Sequence, residues 1–366
     1  MPWTNIQADD SRSPVRFGSE EQPVRELSYR EAIREALSQA LEMDERVFLM
    51  GEGIDDPGGV FGTTVGLMEK FGEKRVMDCP VAENGMTGVA IGAAICGMRP
   101  VFIHMRADFL PMCMDQIINH AAKWSYMTGG KVKVPLTVRA VIGRGWGSAA
   151  QHSQSLQALF AHIPGLKVVM PASPYDAKGL LLGSIAADGP TVVIEHRWLY
   201  DQKEGVPEKP YVIHAGKGAV RREGTDVTIV ATSYMVYEAL RAASELQLKG
   251  ISAEVIDLRS VQPVDEGLII ESVKKTGRLI AADTGWKVCG VSAEVAALAA
   301  EKAYDCLKAP VKRVCLPAAP APASAVLERA YYPGFEDIVR AAKEITLMLH
   351  KDEGRHAEKR HTIGGI

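Results

Sequence analysis

Residues 78–127 read DCPVAENGMTGVAIGAAICGMRPVFIHMRADFLPMCMDQIINHAAKWSYM. A short extended segment carries one acid, Glu83, to its end. A glycine-rich helix follows (Gly85, Gly88, Gly92, Gly97), then an apolar strand, then a second helix. Glu83 has apolar or small neighbours before it (Val81, Ala82) and a small-residue helix behind it. A carboxylate so placed is expected to be partly desolvated, with a raised pKa, able to trade a proton or a strong hydrogen bond with a bound heterocycle. An acid at a helix N-terminus also has a purely structural use, because it faces the positive end of the dipole. Spacing alone leaves both readings of Glu83 open.

Outward from this stretch, strands and helices alternate. Upstream, Ser28-Tyr29-Arg30-Glu31 is a capping box, and Ala32, Ile33, Ala36, Leu37, Ala40 and Leu41 give an apolar stripe at helical spacing. Val47 to Met50 predicts a buried strand. It runs into GEGIDDPGGVFGTT, a glycine-rich loop with Glu52, Asp55 and Asp56, in the place where α/β proteins put binding residues. Asp55 and Asp56 suit a solvated turn better than Glu52 does. Downstream, Val134 to Ile142 reads as a strand leading into GRGWGSAAQHSQS. Its glycine spacing is a weak dinucleotide-loop signal, lacking a convincing third glycine and following helix. His152 on this loop either presents its imidazole to a cleft as acid or base, or is an ordinary loop histidine. Leu166 to Ser173 gives a strand and turn, Pro174 opens a helix as an N1 proline, and Thr191 to His196 is another buried strand. Continuous apolar strands in this order predict a parallel sheet covered on both faces.

The 366 residues suit two domains. Residues 1–26 are a polar, proline-dotted arm, with disorder the default expectation; 27–205 form the first domain, 206–351 a smaller second α/β domain, and 352–366 a charged, mobile tail. The boundary is placed in the charged, Pro- and Gly-rich stretch 201–224. The second domain repeats the alternation: strands at TDVTIVAT, ISAEVIDLRSVQP, RLIAAD and VKRVCLP, with helices between them, two of which close on Gly250 and Gly277. Hydrophobic residues make up 47%, charged residues 24%, and the net charge is -3, so bulk electrostatics favour neither nucleic acid nor membrane as a partner. Six scattered cysteines without a CxxC pair argue against zinc or a disulfide framework and fit a reducing cytoplasm. The N-terminus has no secretory signal, and no apolar run is long enough to span a bilayer.

The ordered motifs MGEGI, GGVFGTTVGLMEKFG, RVMDCPVAENG, GVAIGAAICGMRPV, MDQIINHAAKWSYMTGG, AAQHSQS, HIPGLKVVMPASPYDAKGLL and VIDLRSVQPVDEGLIIESVKKTGR carry a resemblance. The chain resembles, from about Leu27 to Met348, the β subunit of the decarboxylating component of 2-oxoacid dehydrogenase complexes (pyruvate, branched-chain 2-oxoacid and acetoin dehydrogenases). The resemblance implies two doubly wound domains, a pyrimidine-binding domain and a transketolase C-terminal-like domain. It implies thiamine diphosphate with Mg2+, the diphosphate and metal being held mainly by an α subunit through a GDG-led motif. This sequence contains no GDG, which points to half an active site in an α2β2 heterotetramer, inert alone.

By the same resemblance, Glu83 matches the glutamate that hydrogen-bonds the cofactor's aminopyrimidine ring. Phe109 matches a stacking aromatic, and Val81 an apolar contact to the cofactor. His152 matches a histidine that binds the substrate carboxylate or donates a proton to the lipoyl sulfur. Glu52 falls, more loosely, where the family has an acid between paired sites, and a role for Gln116 is looser still. The implied reaction decarboxylates a 2-oxoacid, or cleaves acetoin, and passes the acyl group to a lipoyl acyltransferase core. Around LPAAPAP and IAADTGWKVCG the chain departs from the family pattern, which bears on the choice of partner core. Rival readings are a split transketolase-like carboligase, a two-subunit biosynthetic enzyme and a non-catalytic scaffold. The AAQHSQS loop argues against the first, and the presence of Glu83, Phe109 and His152 together argues against the last.

Overall fold

The computed structural model describes residues 2–10, 24–143 and 147–346. The tail 352–366, the middle of the N-terminal arm, Gly145 of the loop and the last residues of the expected final helix lie outside the described residues. Residues 335–346 of that helix are helical.

The first unit is built on a seven-stranded sheet. Its order is Ser260–Gln262, Lys167–Val169, Thr191–His196, Thr137–Ile142, Arg99–His104, Val47–Gly51, Val76–Asp78. All neighbours are parallel except the first pair. Side chains alternate between faces with period two. Val47 and Leu49 therefore pack with the helices Tyr29–Met43 and Pro174–Ala186, while Phe48 and Met50 face the helix Glu83–Ile95 on the other side. With both faces covered, the strands are apolar throughout, as expected.

Local chemistry starts the helices where the sequence says. The Ser28 hydroxyl accepts from the Glu31 amide and the Glu31 carboxylate accepts from the Ser28 amide, completing the capping box. Ser173 caps the helix that Pro174 opens, accepting from the Asp176 amide at 3.2 Å. The second unit is a five-stranded sheet ordered Ala219–Arg222, Ala253–Asp257, Val227–Ala231, Leu279–Trp286, Lys312–Leu316, antiparallel only at its first pair. Helices Tyr234–Gln247, Glu266–Thr276 and Val291–Lys302 cover it, and Gly277 closes the second of these in the left-handed conformation. The architecture is α/β with two doubly wound units.

Four features differ from the sequence reading. The strand expected from Val134 begins at Thr137. Pro135 has no amide to give a ladder, and the Leu136 amide turns back onto the Val134 carbonyl. The turn expected after Asp257 continues into a strand that crosses over: Ser260–Gln262 pairs antiparallel with Lys167–Val169, so the second unit completes the first unit's sheet. The second helix of the central stretch is three short pieces. A 3-10 turn spans Ala107–Cys113 around Pro111, a π-helix spans Gln116–Ala121, and an α-turn spans Trp124–Met127. Finally, the stretch 201–224 and residues 2–10 are folded together. Lys203–Pro207 pairs with Val24–Ser28, and Tyr211–Val212 pairs with Gln7–Ala8. Trp3 donates to Asp44 at 2.8 Å and the Tyr175 hydroxyl to Asp9 at 2.5 Å. Residues 2–10 are thus held by side-chain and backbone bonds rather than left free. No described helix is long and apolar enough to cross a membrane.

Candidate functional site

The site candidates gather at the carboxyl ends of the parallel strands, where open α/β sheets keep their binding groups. Glu83 is the first residue of the helix Glu83–Ile95, which has no side-chain cap at Ala82. Its side chain is 4% exposed. Its Oε2 is buried without a hydrogen-bond partner among the described residues. The main chain here is fixed: the Thr87 hydroxyl donates to the Glu83 carbonyl at 2.6 Å, and the Cys113 thiol donates to it at 3.6 Å. Burial pushes that thiol up to about 11, so Cys113 is a neutral, weak donor and not a nucleophile.

Glu52 follows the strand Val47–Gly51 and is half-buried. Desolvation raises its carboxyl above the ordinary range, and the nearby Glu83 and Asp78 carboxylates add to the rise. The sequence-predicted acids Glu52 and Glu83 are therefore electrostatic neighbours. Val81, two residues before Glu83, is 78% exposed, an apolar side chain standing free beside a buried acid.

Phe109 lies on the 3-10 turn after the strand Arg99–His104. Its ring meets the His152 imidazole edge-to-face, with centroids 5.6 Å apart. Cys113, on the same turn, touches both the Phe109 carbonyl and the Glu83 carbonyl. One compact turn thus links Glu83 on one side to Phe109 and His152 on the other. Gln116 donates to Asn84 and Asp115, at 3.3 and 3.4 Å, on the exposed side.

Sequence reasoning did not single out Arg106 and Asp108. Arg106 is buried and donates to the Gly143 carbonyl at 2.7 Å. The Asp108 carboxylate accepts from the Gln154 amide at 3.1 Å. The available signal was position: RADF places both directly before Phe109. His104 beneath them is buried, and burial lowers it to about 4, which keeps it neutral. Among the described residues no group of three or more His, Cys, Asp or Glu could hold a metal ion. The arrangement offers a buried carboxylate acceptor, an aromatic face and an exposed imidazole along one wall. That set suits a planar heterocycle and a small polar substrate.

Residues 25–203 match the transketolase pyrimidine-binding domain, and residues 216–338 match the transketolase C-terminal domain. The chain is 46% identical to the β subunit of acetoin:2,6-dichlorophenolindophenol oxidoreductase of Bacillus subtilis, covering 88% of this chain and 97% of that one. It is 42% identical to the pyruvate dehydrogenase E1 β subunit of Rickettsia felis (87% and 98% covered) and 44% identical to the 2-oxoisovalerate dehydrogenase β subunit of Bacillus subtilis (86% and 97% covered). Among solved structures, a split-gene transketolase described as an inactive β4 tetramer superposes with a TM-score of 0.71 at 25% identity, covering 88% of this chain and 99% of that one. The chain belongs to the transketolase-type family of acetoin and 2-oxoacid dehydrogenase β subunits.

Proposed function

We propose that this chain, as a β subunit of that family, supplies half of a thiamine-diphosphate active site and turns over only with an α subunit, in an α2β2 heterotetramer. The observation that carries the reading is the buried Glu83 carboxylate whose Oε2 has no hydrogen-bond partner among the described residues. A desolvated acid left unpaired is costly to folding, and a bound heterocycle with a ring nitrogen would complete it.

The residues fit the cofactor. Glu83 would hold the hydrogen bond to the aminopyrimidine ring nitrogen, Phe109 would orient the ring by stacking, and Val81 would give it an apolar contact. Thiamine diphosphate, when bound, supplies the carbon nucleophile that attacks the substrate carbonyl. Glu52, which keeps its proton more readily than an ordinary glutamate, would serve the polar path beside Glu83. His152 would bind the substrate carboxylate or donate a proton to the lipoyl sulfur. The lack of a GDG motif supports placing the diphosphate and Mg2+ on the α subunit. The substrate is a 2-oxoacid or acetoin, and the acyl group passes to a lipoyl acyltransferase core. The free cysteines support a cytoplasmic setting. The division of the chain near residue 205, into a pyrimidine-binding unit over 27–205 and a C-terminal unit over 206–351, is part of the same reading.

The test is Glu83→Gln in the complex reconstituted with the α subunit, thiamine diphosphate and Mg2+. Turnover of acetoin and a panel of 2-oxoacids is followed by dichlorophenolindophenol reduction. Turnover is expected to fall about 10²- to 10⁴-fold; undiminished turnover ends the catalytic assignment. Activity from this chain alone breaks the half-site reading. A stable complex silent on the whole panel turns the reading toward a carboligase, where the likeness to the split transketolase would then weigh more.

A further inference from the structure

We infer that Asp108 is a positioning residue: its carboxylate tethers the loop that carries His152 against the Phe109 ring. This rests on the reading of His152 as an active-site residue. From residue 147 to residue 156 the described loop contains no helix or strand, so ladder bonds do not fix its shape. Side chains contribute at points that include the following, among the described residues.

At the near end, Arg106 donates to the Gly143 carbonyl at 2.7 Å. Gly143 has φ +86°, and a Cβ there would lie 2.6 Å from the His196 ring, so the loop leaves the sheet at one defined point. At the far end, the buried Gln157 side chain donates to Asp283 at 2.9 Å, joining the loop to the second unit's strand Leu279–Trp286. Between these ends, Asp108 Oδ1 accepts from the Gln154 amide, two residues after His152.

Asp108 is half-buried. A carboxylate accepting a backbone N–H away from bulk water makes a stronger bond than a neutral acceptor. Burial raises its carboxyl, against the bonds from Gln154 that hold it down. Asp108 and Phe109 are adjacent on a single 3-10 turn. The tether for the loop and the ring that the imidazole meets therefore move as one body. The distance between His152 and the Phe109 ring is set twice from the same turn, once by the ring contact and once through Gln154.

The experiment uses the reconstituted complex and whichever substrate of the panel it turns over. Asp108→Ala is expected to lower kcat roughly 10- to 100-fold, the scale of a misplaced group, with thiamine-diphosphate affinity and melting temperature unchanged. Asp108→Asn keeps the Oδ1 acceptor and is expected to restore most of kcat. In a His152→Ala background, Asp108→Ala is expected to cost nothing further, because the two act as one unit.

An equal loss with and without His152, or a loss of cofactor affinity and stability that Asn does not rescue, overturns the tether. Should Ala at 108 block assembly, Gln154→Pro removes the same bond from the loop side, and unchanged kcat in that variant overturns it as well. The two failures are distinguishable. A silent His152→Ala removes His152 from the site and the tether with it, whereas an impaired His152→Ala beside a wild-type-like Asp108→Ala removes only the tether.

Discussion

Two buried glutamates in the first unit differ in one respect. Glu195, on the strand Thr191–His196, is 1% exposed, and both its oxygens are taken: Arg139 donates to them at 2.6 and 2.9 Å and the Tyr200 hydroxyl at 2.7 Å. Glu83 is buried almost as deeply, and its Oε2 has no partner among the described residues. Removing a carboxylate from water costs several kcal/mol unless other groups replace the water. At Glu195 the fold supplies those groups. At Glu83 it supplies a fixed backbone and leaves the side chain waiting. Both oxygens of Glu195 are satisfied within the chain, whereas Glu83 Oε2 is left for a group from outside the described residues.

The sharpest way to break this contrast is to neutralise both acids and measure stability. Glu195→Gln leaves the Arg139 guanidinium buried without its counter-charge, and should lower the unfolding free energy by about 3–5 kcal/mol. Glu83→Gln, which is expected to cost turnover, changes a buried side chain whose Oε2 has no partner among the described residues, and should leave the melting temperature equal or higher. Urea and thermal unfolding of the two variants decide it. Equal destabilisation would mean that Glu83 is as structural as Glu195.

A smaller effect sharpens the same point with a cation. Arg99 Nη1 donates to the carbonyls of Ile185, Ala186 and Ala187 at 3.0, 3.1 and 2.9 Å, and Nη2 donates to Asp188 at 2.8 Å. It closes the C-terminal end of the helix Pro174–Ala186, whose last turn has no basic residue of its own. Arg99→Met keeps the apolar stem and removes the donors. A loss of roughly 2–3 kcal/mol is expected, from bonds to a charged group, with faster amide hydrogen exchange in that last turn. Unchanged exchange would show that the carbonyls find water instead.

What the sequence made legible was whatever a few neighbouring residues decide. Ser28 with Glu31, Pro174 after Ser173, and Gly277 after the helix Glu266–Thr276 all act within one turn. The alternation of apolar runs showed the doubly covered sheets for the same reason. Contacts between distant segments were not legible. Nothing in Ser260–Gln262 says that it will pair with Lys167–Val169, because the partner is set by how the two units dock. Nothing in Arg139 or Glu195 alone announces a buried pair. Of the proposed site, Glu83, Phe109 and His152 could be named from motifs. Asp108 could not, because its proposed role depends on a loop that reaches it from 46 positions away.

Between the satisfied and the unsatisfied extremes stands Asp44, and it gives the contrast a pH axis. Burial raises the carboxyl of Asp44, yet bonds from the Arg46 side chain and amide and from Trp3 outweigh that and hold it down at about 2, against an ordinary 3.8. A carboxyl depressed in the folded state contributes stability that is fully present above the unfolded value and is lost as pH falls through the folded one. The window is therefore about pH 3.8 to 2, and the amount is about 2 kcal/mol. Wild type and Asp44→Asn should accordingly differ most at pH 5 and converge as pH drops toward 2, measured by thermal midpoint. Trp3 is one of the donors, so Trp3→Phe should shrink the gap at pH 5 by part of its size. A gap that does not change with pH would mean that Asp44 is held by packing alone, and that satisfied charge in this fold contributes less than the comparison of Glu195 with Glu83 requires.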